Sequence, residues 1–217
     1  MSIGADRIRE IVLSLRNFSR LDEADMKRVS IHDGIDSTLL ILQNRLKSTP
    51  GHPAIEVVKQ YGNLPLVECY AGQLNQVFMN ILSNAIDALD KFNQERSAAE
   101  IEQNPARITI QTEVVPNSID QSHTPAAVII RIRDNGPGIP QEHLTKLFDP
   151  FFTTKPVGKG TGLGLSISYQ IVVDKHHGIL KCSSEPSQGA EFWMQIPVHH
   201  RRLKGSDEKP PTLTGEG

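Results

Sequence analysis

The sequence predicts an α+β chain in which a mixed β-sheet is covered by helices on one face, a two-layer α/β sandwich with an extra helix at the N-terminus. Three observations predict it. Residues 107–115 and 126–133 alternate apolar and polar side chains with the period of strands. Residues 72–92 repeat apolar side chains at steps of three and four, the period of a helix. Between 134 and 164 a Gly/Pro-rich stretch interrupts both patterns and leads into another apolar helical run.

The elements follow in order. Residues 5–20 carry Ile8, Ile11, Val12, Leu15 and Phe18 on one stripe, with Arg7, Arg9, Glu10, Arg16 and Arg20 largely off it. Such a stripe packs either on its own domain or on a second copy as a dimer seam. After a connector, a helix over 33–47 carries Ile35, Leu39, Leu42 and Leu46, and Thr49-Pro-Gly-His-Pro53 breaks it. Residues 55–58 and 66–70 read as strands with a Gly-Asn turn between them. The long helix over 72–92 comes next. Strands 107–115 and 126–133 are joined by a polar loop from Pro116 to Pro125. A short helix near 141–147, a helix over 164–176, and strands near 178–184 and 190–197 complete the pattern. The polar tail after Pro197, with its Pro-Pro pair and glycines, is expected to be disordered.

Bulk properties exclude several functions. With 22% charged residues and a formal net charge of −2, the chain is not a nucleic-acid binder held by bulk electrostatics. No apolar run reaches the roughly 18 residues of a membrane span, and the start lacks the build of a signal peptide. A cytoplasmic setting is expected. Cys69 and Cys182 form no Cys-x-x-Cys pair and read as core thiols in a reducing compartment, a disulfide being the other reading. The eight histidines show no metal-ligand spacing, and the adjacent pairs His176-His177 and His199-His200 read as surface residues.

Three boxes carry chemistry. Helix 72–92 has a buried stripe of Leu74, Val77, Phe78, Ile81, Leu82, Ala85 and Leu89, and a second stripe of Gln73, Gln76, Asn80, Asn84, Asp87 and Lys91. The second stripe is either a solvated face or a site. Asparagine is a poor helix former, so Asn80 and Asn84 one turn apart, with Asp87 beyond them, offer oxygens to a hard cation. Mg²⁺ takes oxygen ligands and usually keeps waters and substrate phosphates. The second box is Asp134-Asn-Gly-Pro-Gly-Ile139 at the end of a strand. It reads as a hairpin turn, or as a carboxylate that accepts from an exocyclic base amine. In the latter case Gly136 and Gly138 pass close to a flat ring and Ile139 walls it. No strand follows, which weakens the hairpin. The third box is Gly158-Lys-Gly-Thr-Gly-Leu-Gly-Leu165, leading into a helix. A flexible loop is one reading. The other is an anion cradle, since glycine costs a helix about 1 kcal/mol while bare backbone and helix-start amides suit phosphates. Phe148, Phe151 and Phe152 precede it and are expected in the core for the most part. Lys155 and Lys159 sit near the phosphate position as mobile point charges. The loop matches neither a Walker A motif nor Gly-x-Gly-x-x-Gly.

Together and in this order these residues resemble the catalytic and ATP-binding domain of bacterial sensor histidine kinases. Asn80-Ile-Leu-Ser-Asn84-Ala-Ile-Asp87-Ala is similar to the family's N box, and Asp134-x-Gly-x-Gly to its first glycine box. Phe148 to Phe152 resembles its F box, Gly160-Thr-Gly-Leu-Gly-Leu165 its second glycine box, and Gly189-Ala-Glu-Phe192 its closing strand. The resemblance spans roughly residues 33–198. It implies the Bergerat fold shared with gyrase-type ATPases and heat-shock chaperones, with ATP and Mg²⁺ as cofactors. It implies that Asn84 supports Mg²⁺, that Asn80 lies beside the phosphates, and that Asp134 holds the adenine amine. Gly160, Thr161, Gly162, Leu163, Gly164 and Leu165 would cap the triphosphate, and Asp87 falls in the pocket.

Hydrolytic relatives resemble each other in carrying Glu four residues before the metal-binding Asn; here that position is Asn80. An amide cannot act as the general base for water. The resemblance therefore implies phosphoryl transfer to a protein histidine rather than hydrolysis, and a response regulator as a further partner. It also implies a division into residues 1–22 as the second helix of a truncated dimerisation hairpin, 23–32 as connector, 33–198 as catalytic domain and 199–217 as tail. A homodimer through residues 5–20 remains open. His32-Asp33 imitates the start of a phosphoacceptor motif, but Gly34 follows and Asn-Pro is missing. No phosphoacceptor is identified, and self-phosphorylation by this chain alone is not expected. The alternative is a non-catalytic nucleotide-binding or partner-sequestering module.

Overall fold

The computed structural model describes residues 25–49, 53–116, 125–156 and 160–199. Their elements run β1 (Lys27–Val29), α1 (Ile31–Leu46), β2 (Glu56–Tyr61), β3 (Val67–Cys69), α2 (Ala71–Gln94), α3 (Ala98–Gln103), β4 (Arg107–Pro116), β5 (Pro125–Asp134), α4 (Gln141–Leu144), α5 (Gly164–Tyr169), β6 (Ile179–Ser184) and β7 (Ala190–Pro197). A π-helical segment, Gln170–Lys175, continues α5. The helix expected over 5–20, Lys159 and the tail from residue 200 lie outside the described residues.

Five strands form the main sheet in the order β2-β4-β5-β7-β6. β2 pairs β4 in parallel and every other pair is antiparallel, so the sheet is mixed, as expected. Ile108 and Ile110 of β4, Val128, Ile130 and Ile132 of β5, and Phe192, Met194 and Ile196 of β7 are buried. The alternate positions carry Gln111, Arg131, Arg133 and Lys181. One face is thus apolar and the other polar, the period of two that a half-buried sheet requires. On the polar face Arg131 pairs with Glu113 at 2.7 Å.

The helices cover the apolar face. Every residue of the expected apolar stripe of α2 is buried, together with Ile86, and each large side chain removed from water contributes about 1.5–3 kcal/mol. α1 lays Ile31, Ile35, Leu39 and Leu42 into the same core. Ser30 caps α1 by accepting from the Asp33 amide at 3.3 Å, which starts the helix two residues earlier than expected. Within the range read as connector, residues 27–29 form β1.

β2 and β3 do not make a hairpin. β3 leaves the main sheet and pairs antiparallel with β1. β2 runs on to Tyr61 because the Gly62 amide still donates to the Thr112 carbonyl of β4 at 3.0 Å. α3, absent from the sequence reading, starts at a capping box of Ser97 and Glu100. His176 is fully buried rather than at the surface; its Nε2 accepts from the Tyr70 amide at 3.0 Å and its Nδ1 donates to the Ile171 carbonyl at 2.7 Å. His177 and His199 are exposed, as expected. Cys69 and Cys182 are free thiols. Among the described residues no helix is long and apolar enough to cross a membrane.

Candidate nucleotide site

The polar stripe of α2 is the spine of the site. From Asn80 to Leu89 the helix rises about 13 Å at 1.5 Å per residue, and three segments meet it in turn. Asn80 faces α5: its amide nitrogen donates to the Gly164 carbonyl at 2.8 Å and to Ser168 Oγ at 3.2 Å. One turn on, Asn84 Oδ1 accepts from Lys155 Nζ at 3.1 Å. Lys155 also pairs with Asp87 Oδ2 at 2.5 Å. Beyond them Gly136 packs against α2, where an added Cβ would lie 3.5 Å from Leu89 Cδ2 and 3.9 Å from Ala88 Cβ. The N box, the F-box loop and the two glycine boxes are therefore neighbours in space, although they span residues 80–165.

Asp134 ends β5 opposite Ile108 and is 6% exposed. Its Oδ1 accepts from the Gly136 amide at 2.9 Å and from the Ala190 amide at 3.4 Å. Among the described residues Oδ2 receives no bond from another residue. Burial pushes this carboxyl above the usual carboxylate range, with the Gly136 and Ala190 amides, its own amide and the Arg133 charge pulling the other way. The Asp-Asn-Gly sequence is not a hairpin, since β5 pairs with β4 and β7 and the chain turns into α4. A Cβ on Gly136 would sit 2.9 Å from Asp134 Oδ1, so glycine lets the turn close tightly on this carboxylate. Gly138 lies against the Glu185 carbonyl. The Ile139 amide donates to Ser184 Oγ at 2.8 Å and its side chain packs on the core. The neighbouring Cys182 thiol is pushed up to about 12 by burial first, then by the charges of Asp134 and Glu191, so it stays protonated.

The glycine turn is held from both sides. Gly162 adopts φ +67°, and a Cβ there would fall 2.4 Å from the Phe151 backbone. Gly160 lies over Thr153 and Lys155, and the Leu163 amide donates to Thr161 Oγ1 at 3.3 Å. Gly164 begins α5, whose first amides lack intrahelical partners, and Leu165 packs on the core. Phe148 is half-buried, its ring 5.5 Å from that of Tyr169. Phe151 is 74% exposed and is the one of the three phenylalanines that leaves the core; its own backbone is left-handed, φ 67°, with Gly162 packed against it.

Sequence reasoning gave no site role to Arg45, Ser168, Ser184 and Ala190. Arg45, at the end of α1, pairs with Asp87 Oδ1 and lies 3.7 Å from Asp90. Ser168 had a local signal, four residues after Gly164 on a helix; the other three arrive through long-range packing. His32 lies away from this pocket. Its ring stacks on Tyr61 at 4.1 Å and bonds Thr112 Oγ1 at 2.9 Å. It stands 13 residues before Arg45 on α1, about 20 Å along the helix.

Comparison with known proteins agrees with this geometry. The family profile described as histidine kinase-, DNA gyrase B-, and HSP90-like ATPase matches residues 70–200. The chain is similar to the sensor kinase CckA of Brucella abortus (strain 2308), 32% identical over 89% of this chain and 19% of that protein. It is similar to the signal transduction histidine-protein kinase AtoS of Escherichia coli (strain K12), 31% identical over 89% of this chain and 28% of that one. With the sensory histidine kinase/phosphatase NtrB of Azospirillum brasilense it shares 29% identity over 95% of this chain and 48% of the relative. The chain thus spans less than half the length of each. Among solved structures, the nucleotide-free catalytic domain of histidine kinase ThkA superposes with a TM-score of 0.60 at 27% identity, over 80% of this chain and 96% of that one. The profile matches more than half of the chain, and the chain belongs to the histidine kinase-, DNA gyrase B- and HSP90-like ATPase family.

Proposed function

We propose that this chain is the ATP-binding kinase domain of a two-component sensor histidine kinase, and that it transfers the γ-phosphoryl group of ATP to a histidine supplied in trans or by further sequence. The observation that carries this reading is Asn80. It occupies the place of the hydrolytic glutamate, and its amide is already committed as a donor to Gly164 and Ser168. It takes no proton from water; it fixes the glycine turn.

The other residues divide the work of positioning. Asp134 offers Oδ2 to the adenine amine while Oδ1 stays anchored to backbone. The turn from Gly160 to Leu165 presents amides to the phosphates, and Phe148 and Ile139 wall the base side. Asn84 suits Mg²⁺: its Oδ1 is a neutral oxygen that already accepts from a cation, the Lys155 ammonium. Mg²⁺ held there would neutralise charge on the phosphates. Catalysis then rests on orientation and charge, with the acceptor histidine brought by a dimerisation domain. A response regulator as the next acceptor, pairing of two copies through residues 5–20 and a cytoplasmic setting go with this reading.

The test supplies γ-labelled ATP and a separate histidine-bearing helical hairpin. Acid-labile label is expected on the hairpin, with little free phosphate. Rapid phosphate release and an unlabelled hairpin would make the chain an ATPase instead.

A further inference from the structure

We infer that Lys155 is the resident counter-ion of the metal position: its ammonium occupies the cation place at Asn84 Oδ1, so that Lys155 and Mg²⁺ compete for it. The inference rests on the reading of this site as a magnesium-nucleotide pocket. Lys155 Nζ sits 3.1 Å from Asn84 Oδ1 and 2.5 Å from Asp87 Oδ2, two oxygens one turn apart on α2. A lysine ammonium is a compact point charge with three donors on a flexible stem, which suits the part. Mg²⁺ binds oxygen at about 2.0–2.1 Å. A metal on Asn84 Oδ1 would meet the ammonium head-on, and two cations that close repel. The surroundings fit a cation that comes and goes. Asp87 is steadied from its other oxygen by Arg45, which also lies 3.7 Å from Asp90. Two basic and two acidic groups therefore balance without a metal, and Asp87 keeps a partner when Lys155 leaves. Lys155 is 36% exposed, so its head is free to exchange Asn84 for a phosphate.

Two consequences follow. Without metal, the lysine supplies the positive charge that a triphosphate needs. With metal, the lysine is displaced and its loss matters less. The experiment titrates a non-hydrolysable ATP analogue by calorimetry into the wild type and Lys155→Met, each in excess Mg²⁺ and in EDTA. The readout is the ratio of the two affinities. The substitution is expected to weaken metal-free binding by about tenfold or more and magnesium-loaded binding by about threefold or less. Equal loss in both conditions would mean that the lysine only attracts phosphate, and would overturn the inference; so would no loss in either. A wild type that binds in neither condition overturns the nucleotide reading along with it. A wild type that binds, with a variant whose ratio is unchanged, overturns the counter-ion alone.

Discussion

Replacing Asp134 by asparagine separates base recognition from structure at the buried end of the pocket. The amide oxygen can keep the bonds from Gly136 and Ala190 that now end on Oδ1. The amide nitrogen then takes the place of Oδ2 and turns a donor toward the donor amine of adenine. Losing a hydrogen bond to a charged group costs about 1.5–3 kcal/mol, or about 10- to 150-fold in affinity at 1.36 kcal/mol per decade. The fold is expected to gain rather than lose. Burial raises the folded-state pKa of Asp134 above its usual value, so between the two values the folded chain binds more protons than the unfolded one. Stability contributed by this group therefore falls as pH rises through that window, and at neutral pH the ionised carboxylate is a burden. Asparagine removes it. The assay is a titration with ATP and inosine triphosphate analogues beside a melting curve at pH 7. ATP affinity is expected to fall by one to two decades, inosine triphosphate to lose less because its oxygen accepts from the new amide, and Tm to hold or rise. Unchanged ATP affinity would refute the recognition role. A fall in Tm of about 2–4 °C, which corresponds to about 1 kcal/mol at this size, would show that the carboxylate is structural.

Other perturbations test other parts of the site. Asn80→Asp forfeits both donated bonds and points a carboxylate at the Gly164 carbonyl; nucleotide affinity should fall about tenfold, measured by fluorescent-analogue displacement, with no rise in phosphate release. Gly162→Ala meets a left-handed backbone and the Phe151 main chain at 2.4 Å; a loss of about 1–2 kcal/mol in nucleotide binding is expected, with little change in the melting of the core. His32 has its pKa lowered by burial, opposed by Asp36 and Asp33. Its folded form binds fewer protons than the unfolded one just below pH 6.5, so stability rises with pH across that window; denaturant titrations of His32→Gln from pH 5 to 7 should show a flatter slope than the wild type.

What the sequence disclosed follows from locality. The two stripes of α2 were readable because one helix carries both, and a 3.6-residue period sorts them without reference to the rest of the chain. Asp134 was readable as a strand end followed by glycines. The assignment of β2 and β3 to different sheets was not, since it depends on pairing Glu56 with Arg107 and Val67 with Val29. His176 looked like one of a surface pair; the Tyr70 amide, 106 residues away, and the Ile171 carbonyl hold it in the core. Phe151 carries the opposite lesson. An aromatic among aromatics is exposed where its own backbone turns left-handed against Gly162, and no local pattern announces that turn. Arg45 sits in the last turn of α1, where a basic residue already suits the helix dipole, and nothing local announces Asp87 as its partner. The α3 capping box was legible in Ser97 and Glu100, but six residues without an apolar period gave it no support.

The most direct test is a calorimetric titration of the unmodified chain with a non-hydrolysable ATP analogue in the presence of Mg²⁺. One saturable site per chain, displaced by ADP, is the predicted result. Heat no larger than dilution at every concentration would contradict the account at its root.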